Sequence, residues 1–183
     1  MVHGAFTMIK RILIGIVGLI VILVAVSQLL PSDVHVERRI TINAPQQAVF
    51  PMLNSPKNSE KWSPWLERGP KAGLKYNGPP AGVGAKLTWR SDVPEVGAGT
   101  STITASKPDS LVRVALAFEG HGDATAYYQL SPAGNGTDIV WGFDVELSRN
   151  PIERYFGLMF DSMIGTDYER GLENLKKLVE SGG

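Results

Sequence analysis

The chain has 183 residues, with 18 lysines and arginines balanced by 18 aspartates and glutamates, and it contains no cysteine. The zero formal net charge excludes a dedicated nucleic-acid-binding protein, which normally carries a basic surplus. The lack of cysteine excludes disulfide frameworks, thiolate metal sites, iron–sulfur clusters and a cysteine nucleophile. With only 3 histidines, a histidine-rich metal site is also nearly excluded.

The segment Ile12–Leu30 contains no charged residue and is followed by Pro31, a helix-ending residue. At about 1.5 Å per residue, a helix of this length covers roughly 30 Å, the thickness of a bilayer's hydrocarbon core. A cleaved signal peptide with Lys10-Arg11 as its basic region is the alternative. The apolar run continues past the small residues at which cleavage would occur, so we predict a transmembrane helix over 12–30, preceded by a short basic segment over 1–11.

Positive charge predicts the orientation of this span. Lys10 and Arg11 directly precede it, whereas Arg38 and Arg39 lie further away and are accompanied by acidic residues. Because basic residues next to a span tend to stay in the cytoplasm, we expect a single-pass membrane protein with a cytoplasmic N-terminus. The main domain, residues 31–183, would then lie on the extracytoplasmic (periplasmic or outer) side.

The remainder predicts one α+β domain. Residues 34–42 alternate apolar and polar as in a half-buried strand, and short helices are expected over 46–50 and 56–61, with a turn after Trp62. Regularly spaced turn signals predict further strands over about 72–77, 85–91, 98–107, 111–119, 123–131 and 137–147. Apolar residues at helical spacing from Pro151 to Glu180 predict a long C-terminal helix capped by Asn150, with its apolar face on the sheet.

Five segments carry weak motifs whose order is more specific than any one of them: Ile40–Phe50 with its Ala44-Pro45 helix start, Lys61–Trp65, Gly82–Ala85 with Trp89, Gly136–Trp141, and Met163–Lys176. Over roughly residues 34–180 this succession resembles the SRPBCC superfamily, also called START-like or Bet v 1-like, and within it the polyketide cyclase/dehydrase-like branch. The resemblance implies a helix-grip fold: a curved antiparallel sheet of about six to seven strands around a long C-terminal helix, with an apolar cavity between them.

Strand alternation and helical spacing indicate which apolar residues could line such a cavity. The predicted ligand-binding set is Leu87, Trp89, Leu116, Phe118, Tyr128, Trp141 and Phe143 on the strands, with Phe156, Met159 and Met163 opposite them on the helix. For any single residue, plain core packing is the favoured alternative. For the set, the cavity that the resemblance implies favours a pocket.

Signals for catalysis are weak. His121, with Glu119 and Asp123 nearby, is the acid–base candidate by composition, but such a turn is more often exposed, so no catalytic residue is assigned. Phosphate-loop, dinucleotide, zinc and nucleophile-elbow motifs are missing, and no metal or cofactor is predicted. Arg38 shares its strand face with Val36 and Ile40, where it would either meet an anionic headgroup or pair with an acid.

The leading hypothesis is a membrane-anchored domain that binds a hydrophobic small molecule or lipid, since the superfamily binds lipids, sterols and polyketides. The first alternative is an enzyme resembling polyketide cyclases or dehydrases, which would need a buried titratable group in the cavity. The second is a ligand-free structural or interaction domain with a filled cavity. No nucleic acid is expected as a partner, and protein partners are left open.

Overall fold

The computed structural model describes residues 2–68, 73–120 and 122–182. They form two compact units: one contains the residues up to Val34 together with Glu146–Met159, and the other contains His35–Val145 and the residues from Phe160 onward. The elements in chain order are α1 (Val2–Ser27), β1 (Asp33–Ile42), α2 (Gln46–Leu53), α3 (Pro56–Ser59), α4 (Pro64–Arg68), β2 (Lys75–Asn77), β3 (Lys86–Arg90), β4 (Ala98–Lys107), β5 (Leu111–Phe118), β6 (Gly122–Ala133), β7 (Gly136–Glu146), α5 (Pro151–Gly157) and α6 (Phe160–Glu180).

The first unit is built on α1. This helix ends at Ser27, three residues before the predicted end at Leu30. Its segment Lys10–Ser27 is long and apolar enough to cross a membrane, and almost all of its side chains from Lys10 onward are exposed. Length and composition therefore agree with the predicted span, which remains a candidate.

The predicted long C-terminal helix is wrong in one respect, because it is broken into α5 and α6. The start is as predicted: Pro151 is the first helical residue, and the Asn150 side chain accepts a hydrogen bond from the Ile152 amide at 3.0 Å. At the break, the amides of Leu158 and Met159 donate three residues back rather than four. Such 3₁₀-type bonds tighten and end an α-helix.

The second unit is organised by one antiparallel sheet of seven strands in the order β1-β7-β6-β5-β4-β3-β2. Strands β2 to β7 pair with their sequence neighbours as a meander, and β1 lies beside β7. Each predicted strand is present, with β2 shorter than expected. The α+β class and the sheet with its long C-terminal helix are therefore confirmed.

The short helices differ from the sequence prediction in detail. Helix α2 continues through Pro51 to Leu53 rather than ending before the proline. The segment after Trp62, predicted as a turn, begins a third short helix, α4, at Pro64. A proline suits this first helical position because its missing N–H would have no intrahelical partner there.

Strand register defines the face of the sheet that the helices cover. Val112 on β5 lies opposite Tyr128 on β6, which lies opposite Trp141 on β7. The next inward row contains Ala126 and Phe143. We call this side the inner face, and it carries every strand residue that the sequence placed in the ligand-binding set.

Candidate functional site

Five aromatic side chains fill the space between one half of the inner face and the helices, and we call them the aromatic cluster: Trp62, Trp65, Tyr128, Trp141 and Tyr168. Trp141 is central, because its ring stacks on Tyr168 at 3.7 Å between centroids. Trp62, Trp65 and Tyr128 surround it at 5.3, 5.8 and 5.1 Å. With Trp141 and Tyr168 each 2% exposed, side chains of the chain itself occupy this part of the predicted cavity.

Local features of the sequence hold the cluster in place. A Cβ at Gly171 of α6 would lie 2.7 Å from the Trp141 ring, so glycine permits the helix to approach this closely. The Trp62 indole donates to the Met52 carbonyl at 3.1 Å. The side-chain amide of Asn174 donates to Glu67 at 2.9 Å, which ties α4 to α6.

The electrostatics of the cluster favour neutral groups. Burial raises the pKa of Tyr128 above its usual range. Burial also raises the pKa of Tyr168, and the neighbouring Trp141 indole opposes this shift, although the two groups fall short of normal hydrogen-bond geometry. Both phenols stay protonated at neutral pH and can donate a hydrogen bond. The described inner-face residues of β3 to β7 include no histidine, aspartate or glutamate.

The other half of the inner face is less covered. Four of its side chains are half-buried, and we call them the apolar patch: Trp89, Val114, Leu116 and Phe118. Trp89 and Phe118 lie on either side of Gly99 in the register, with their ring centroids 6.0 Å apart. A Cβ at Gly99 would lie 2.7 Å from the Trp89 ring, so this glycine allows the indole to lie flat across β4. The Trp89 indole is anchored by donation to the Val96 carbonyl at 3.0 Å.

The structure therefore divides the predicted ligand-binding set into three groups. Leu87, Tyr128, Trp141 and Phe143 are buried on the inner face. Trp89, Leu116 and Phe118 are half-buried on the same face. Phe156, Met159 and Met163 are 52%, 51% and 53% exposed, so no core packing covers them, and their part in ligand binding stays a prediction.

Helix geometry explains why Met163 is exposed. The apolar residues of α6 fall on two ladders, one containing Met163 and one containing Ile164, Tyr168 and Leu172. Met163 and Ile164 are neighbours and lie about 100° apart around a helix, so only one ladder can face the sheet. Tyr168 and Leu172 are buried, which assigns that side of α6 to the second ladder. By the same spacing, Phe160, which the prediction omitted, shares this side.

Arg38 takes the second of the two roles weighed for it, pairing with acids. Its guanidinium donates to Glu169 at 2.7 Å and to both Asp161 carboxylate oxygens, at 2.9 and 3.2 Å. The hydrogen bond from Arg38 lowers the pKa of Asp161. Gly165 lies directly beneath the guanidinium, where a Cβ would collide with it. Arg38 thus links β1 to α6, and its charge is already compensated by two carboxylates.

A second histidine–carboxylate cluster lies on the outer face of the sheet, and the sequence analysis missed it. His35 forms a 2.7 Å contact with Asp144 and a 3.6 Å contact with Glu37, while the Tyr127 hydroxyl donates to Glu37 at 2.9 Å. The hydrogen bond to Asp144 raises the pKa of His35, and burial raises the pKa of Tyr127 to about 12. His35 and Glu37 share β1, but Tyr127 and Asp144 are about a hundred positions further along the chain, so only strand pairing brings the four residues together. His121 itself lies outside the described residues.

An open depression of about 290 Å³ borders the apolar patch, because Trp89 and Phe118 belong to its lining. Thr88, Thr100 and Ala117 line it, and strand alternation directs these side chains outward. The ion pair between Arg90 and Glu119, at 2.6 Å, lies beside them. The depression therefore joins two rings of the apolar patch to polar residues of the outer face.

Comparison with known proteins agrees with this architecture. Residues 33–180 match the family described as polyketide cyclase/dehydrase and lipid transport. The chain belongs to this family. The match covers the sheet and the C-terminal helix and leaves out the whole of α1, so the apolar N-terminal helix lies outside the domain that the family shares.

Solved structures of other members of this fold are similar over nearly their whole length. Protein CV1439 from Chromobacterium violaceum is 20% identical with a TM-score of 0.54, over 80% of this chain and 96% of that chain. Ara h 8.0201 is 13% identical with a TM-score of 0.60, over 82% and 99%. Protein SA2116 of unknown function from Staphylococcus aureus is 11% identical with a TM-score of 0.62, over 81% and 94%. At these identities the likeness concerns the fold alone, and no curated protein matches the sequence.

Proposed function

We propose that this protein is a membrane-anchored member of the polyketide cyclase/dehydrase and lipid transport family that binds a hydrophobic small molecule or lipid. The observation that carries the proposal is the uneven covering of the inner face. Around Trp141 the face is sealed by aromatic rings, whereas the apolar patch stays half-buried. A half-buried apolar surface with two aromatic rings suits an apolar ligand, because contact with the ligand removes that surface from water.

The tyrosines of the aromatic cluster give the site one polar feature. Tyr128 stays protonated because burial raises its pKa, so its hydroxyl is a donor and not a base at neutral pH. A protonated phenol does not abstract a proton, so Tyr128 gives no support to the enzyme alternative. The family description names both cyclase/dehydrase enzymes and lipid transport, so family membership does not choose between them. No specific observation favours the enzyme alternative.

Membrane anchoring is the second part of the proposal. Helix α1 would span the bilayer with Lys10 and Arg11 in the cytoplasm and the family domain on the extracytoplasmic side. Support for an uncleaved anchor comes from the end of the helix, where the Gln28 side chain donates to the Arg149 carbonyl at 3.2 Å. A lipid ligand is concentrated in the bilayer, so an anchored domain meets it at a high effective concentration.

Ligand binding is tested with the full chain in phosphatidylcholine vesicles and two photoactivatable probes, diazirine-bearing palmitic acid and diazirine-bearing cholesterol. We expect at least one probe to label peptides of β3 and β5, in competition with its unlabelled parent. Leu116→Trp fills the apolar patch and should lower labelling about tenfold, the equivalent of about 1.4 kcal/mol of binding.

The matched control is Ala115→Trp, which adds the same side chain to the adjacent, exposed position on the outer face of β5. It should leave labelling unchanged. If neither probe labels the patch, or if both variants behave alike, the lipid-binding proposal is wrong and the ligand-free interaction domain becomes the better hypothesis.

Anchoring and orientation are tested in intact cells with single cysteines, since the chain has none of its own. A membrane-impermeant maleimide should modify Ser181→Cys from outside and leave Met8→Cys unmodified. The mass of the membrane-bound protein should be that of the uncleaved chain. Modification in the reverse pattern would overturn the orientation, and a mass lacking the first helix would identify a signal peptide.

A further inference from the structure

Helix α5 exposes a stripe of large apolar side chains. Ile152 and Phe156 are four residues apart, so they lie on one side of α5. Met159 follows them in the turn that ends the helix. The three side chains are 66%, 52% and 51% exposed. Leu29, which follows α1 in the chain, is 84% exposed. An apolar surface of this kind marks an interaction site for protein or membrane.

Two residues fix α5 to the end of α1: Tyr155, which borders the stripe, and Arg154, which lies on the opposite side of the helix. The Tyr155 hydroxyl donates to the Leu23 carbonyl at 2.9 Å. The Arg154 guanidinium donates to the Leu30 carbonyl at 2.8 Å and to the Ser148 carbonyl at 2.6 Å. Arg154 therefore joins the residues that follow α1 to those that precede α5, and it leaves the stripe free to face outward.

A glycine makes this packing possible. A Cβ at Gly157 would collide with the Leu147 side chain and would lie 3.3 Å from Val34. Glycine at this position lets the end of α5 approach the segments that lead from α1 into β1 and from β7 into α5. The position of α5 is thus fixed by the hydrogen bonds of Arg154 and Tyr155 and by close packing at Gly157.

The hydrogen bond from Tyr155 to the Leu23 carbonyl indicates the depth in the membrane at which α5 would lie. Leu23 lies within the membrane-spanning candidate Lys10–Ser27, four residues before its end. At about 1.5 Å per residue this is about 6 Å inside the end of the span. A helix lying in a membrane interface buries its apolar face by about 5–10 Å, so α5 is at the matching depth.

We propose that α5 is an interfacial helix whose Ile152 and Phe156 side chains, together with Met159 in the turn after it, insert into the bilayer leaflet in which α1 ends. The occupant of the exposed stripe is lipid, at the boundary between acyl chains and headgroups. The polar residues near α5 are compatible with a position at this boundary. The Glu153 carboxylate accepts a 2.6 Å hydrogen bond from the Ser148 hydroxyl. Arg149 is exposed and can extend its charge towards lipid phosphates. The proposal rests on the anchoring proposed above and adds a second membrane contact to it.

The test measures membrane depth on the full chain in phosphatidylcholine vesicles. Single cysteines at Ile152→Cys and Phe156→Cys are labelled with the fluorophore NBD, and quenching is measured with lipids that carry a nitroxide near the headgroup end of the acyl chain. Both positions are exposed, so the substitutions leave the packing of α5 intact. We expect blue-shifted emission and quenching of at least twofold at both positions.

Two further cysteines make the outcomes distinguishable. Val17→Cys lies in the middle of the span and should be quenched by a nitroxide deep in the acyl chain, while exposed Asp123→Cys on β6 should not be quenched. If Val17 is quenched but Ile152 and Phe156 behave like Asp123, the span is inserted and the interfacial helix is refuted. If Val17 is not quenched, anchoring itself fails and the inference falls with it. Blue-shifted emission at Ile152 and Phe156 without nitroxide quenching would show that protein covers the stripe, which also overturns the proposal.

Discussion

Replacement of Trp141 by alanine tests whether the aromatic cluster is a packed core or a surface that waits for a ligand. Trp141 is 2% exposed and contacts four other aromatic rings, one of them by stacking at 3.7 Å. Large-to-small substitution of a buried tryptophan costs about 3–5 kcal/mol, because apolar contacts are lost and a cavity remains. Aromatic pairs add about 0.5–1.5 kcal/mol each beyond area, and shared neighbours make these terms non-additive, so we expect a loss near the upper end.

The assay is pulse proteolysis of the full chain in detergent micelles over a urea series, because it reports global unfolding without relying on tryptophan fluorescence. With a urea slope of about 2 kcal/mol per molar, a loss of about 4 kcal/mol lowers the unfolding midpoint by about 2 M. Such a loss is a large share of the roughly 5–15 kcal/mol by which domains are stable.

The matched control is Trp89→Ala, at the half-buried end of the same face. Since part of the Trp89 side chain is already in water, its removal should cost only about 1–2 kcal/mol. Two results would refute the division of the inner face into a sealed and an open half. One is an equal shift of the unfolding midpoint in both variants. The other is a midpoint shift below about 0.5 M for Trp141→Ala, which corresponds to a loss of about 1 kcal/mol.

Two further predictions concern a glycine and a histidine. Gly171→Ala should destabilise the protein by about 1–3 kcal/mol in the same assay. The added Cβ would lie 2.7 Å from the Trp141 ring, and the packed neighbours of Trp141 prevent the ring from moving away. An unchanged unfolding midpoint would contradict this prediction. His35 faces Asp144 and Glu37, and these carboxylates raise its pKa in the folded state. The stabilisation that His35 contributes is therefore fully present below the unfolded pKa of about 6.5. It is lost as the pH rises through the folded pKa. The difference in midpoint between the wild type and His35→Gln should therefore be larger at acidic than at alkaline pH, and NMR titration of His35 should show a pKa above that of a free histidine; a pH-independent difference would contradict the assignment.

Local pattern by itself determined most of the fold. Alternating residues in 34–42 and 111–119 produced the strands where they were expected, because a side-chain period of two can bury one face of a sheet only in one register. The apolar run before Pro31 determined the candidate span, since its composition leaves no polar side for a soluble helix. The inward positions of Tyr128 and Trp141 followed from the same alternation.

Only the tertiary structure decided how the C-terminal residues are used. Sequence spacing could not show that the helix breaks before Phe160. Just before the break Gly157 lies close to Leu147 and Val34, and neither residue belongs to the helix. Nor could it show that Met163 is exposed, since the apolar residues of α6 cannot all face the sheet and only the packed structure shows that Tyr168 and Leu172 are the buried ones. The pairing of His35 with Asp144 and of Arg38 with Asp161 likewise depends on which strand and helix become neighbours, and that is set by the whole sheet rather than by any local sequence.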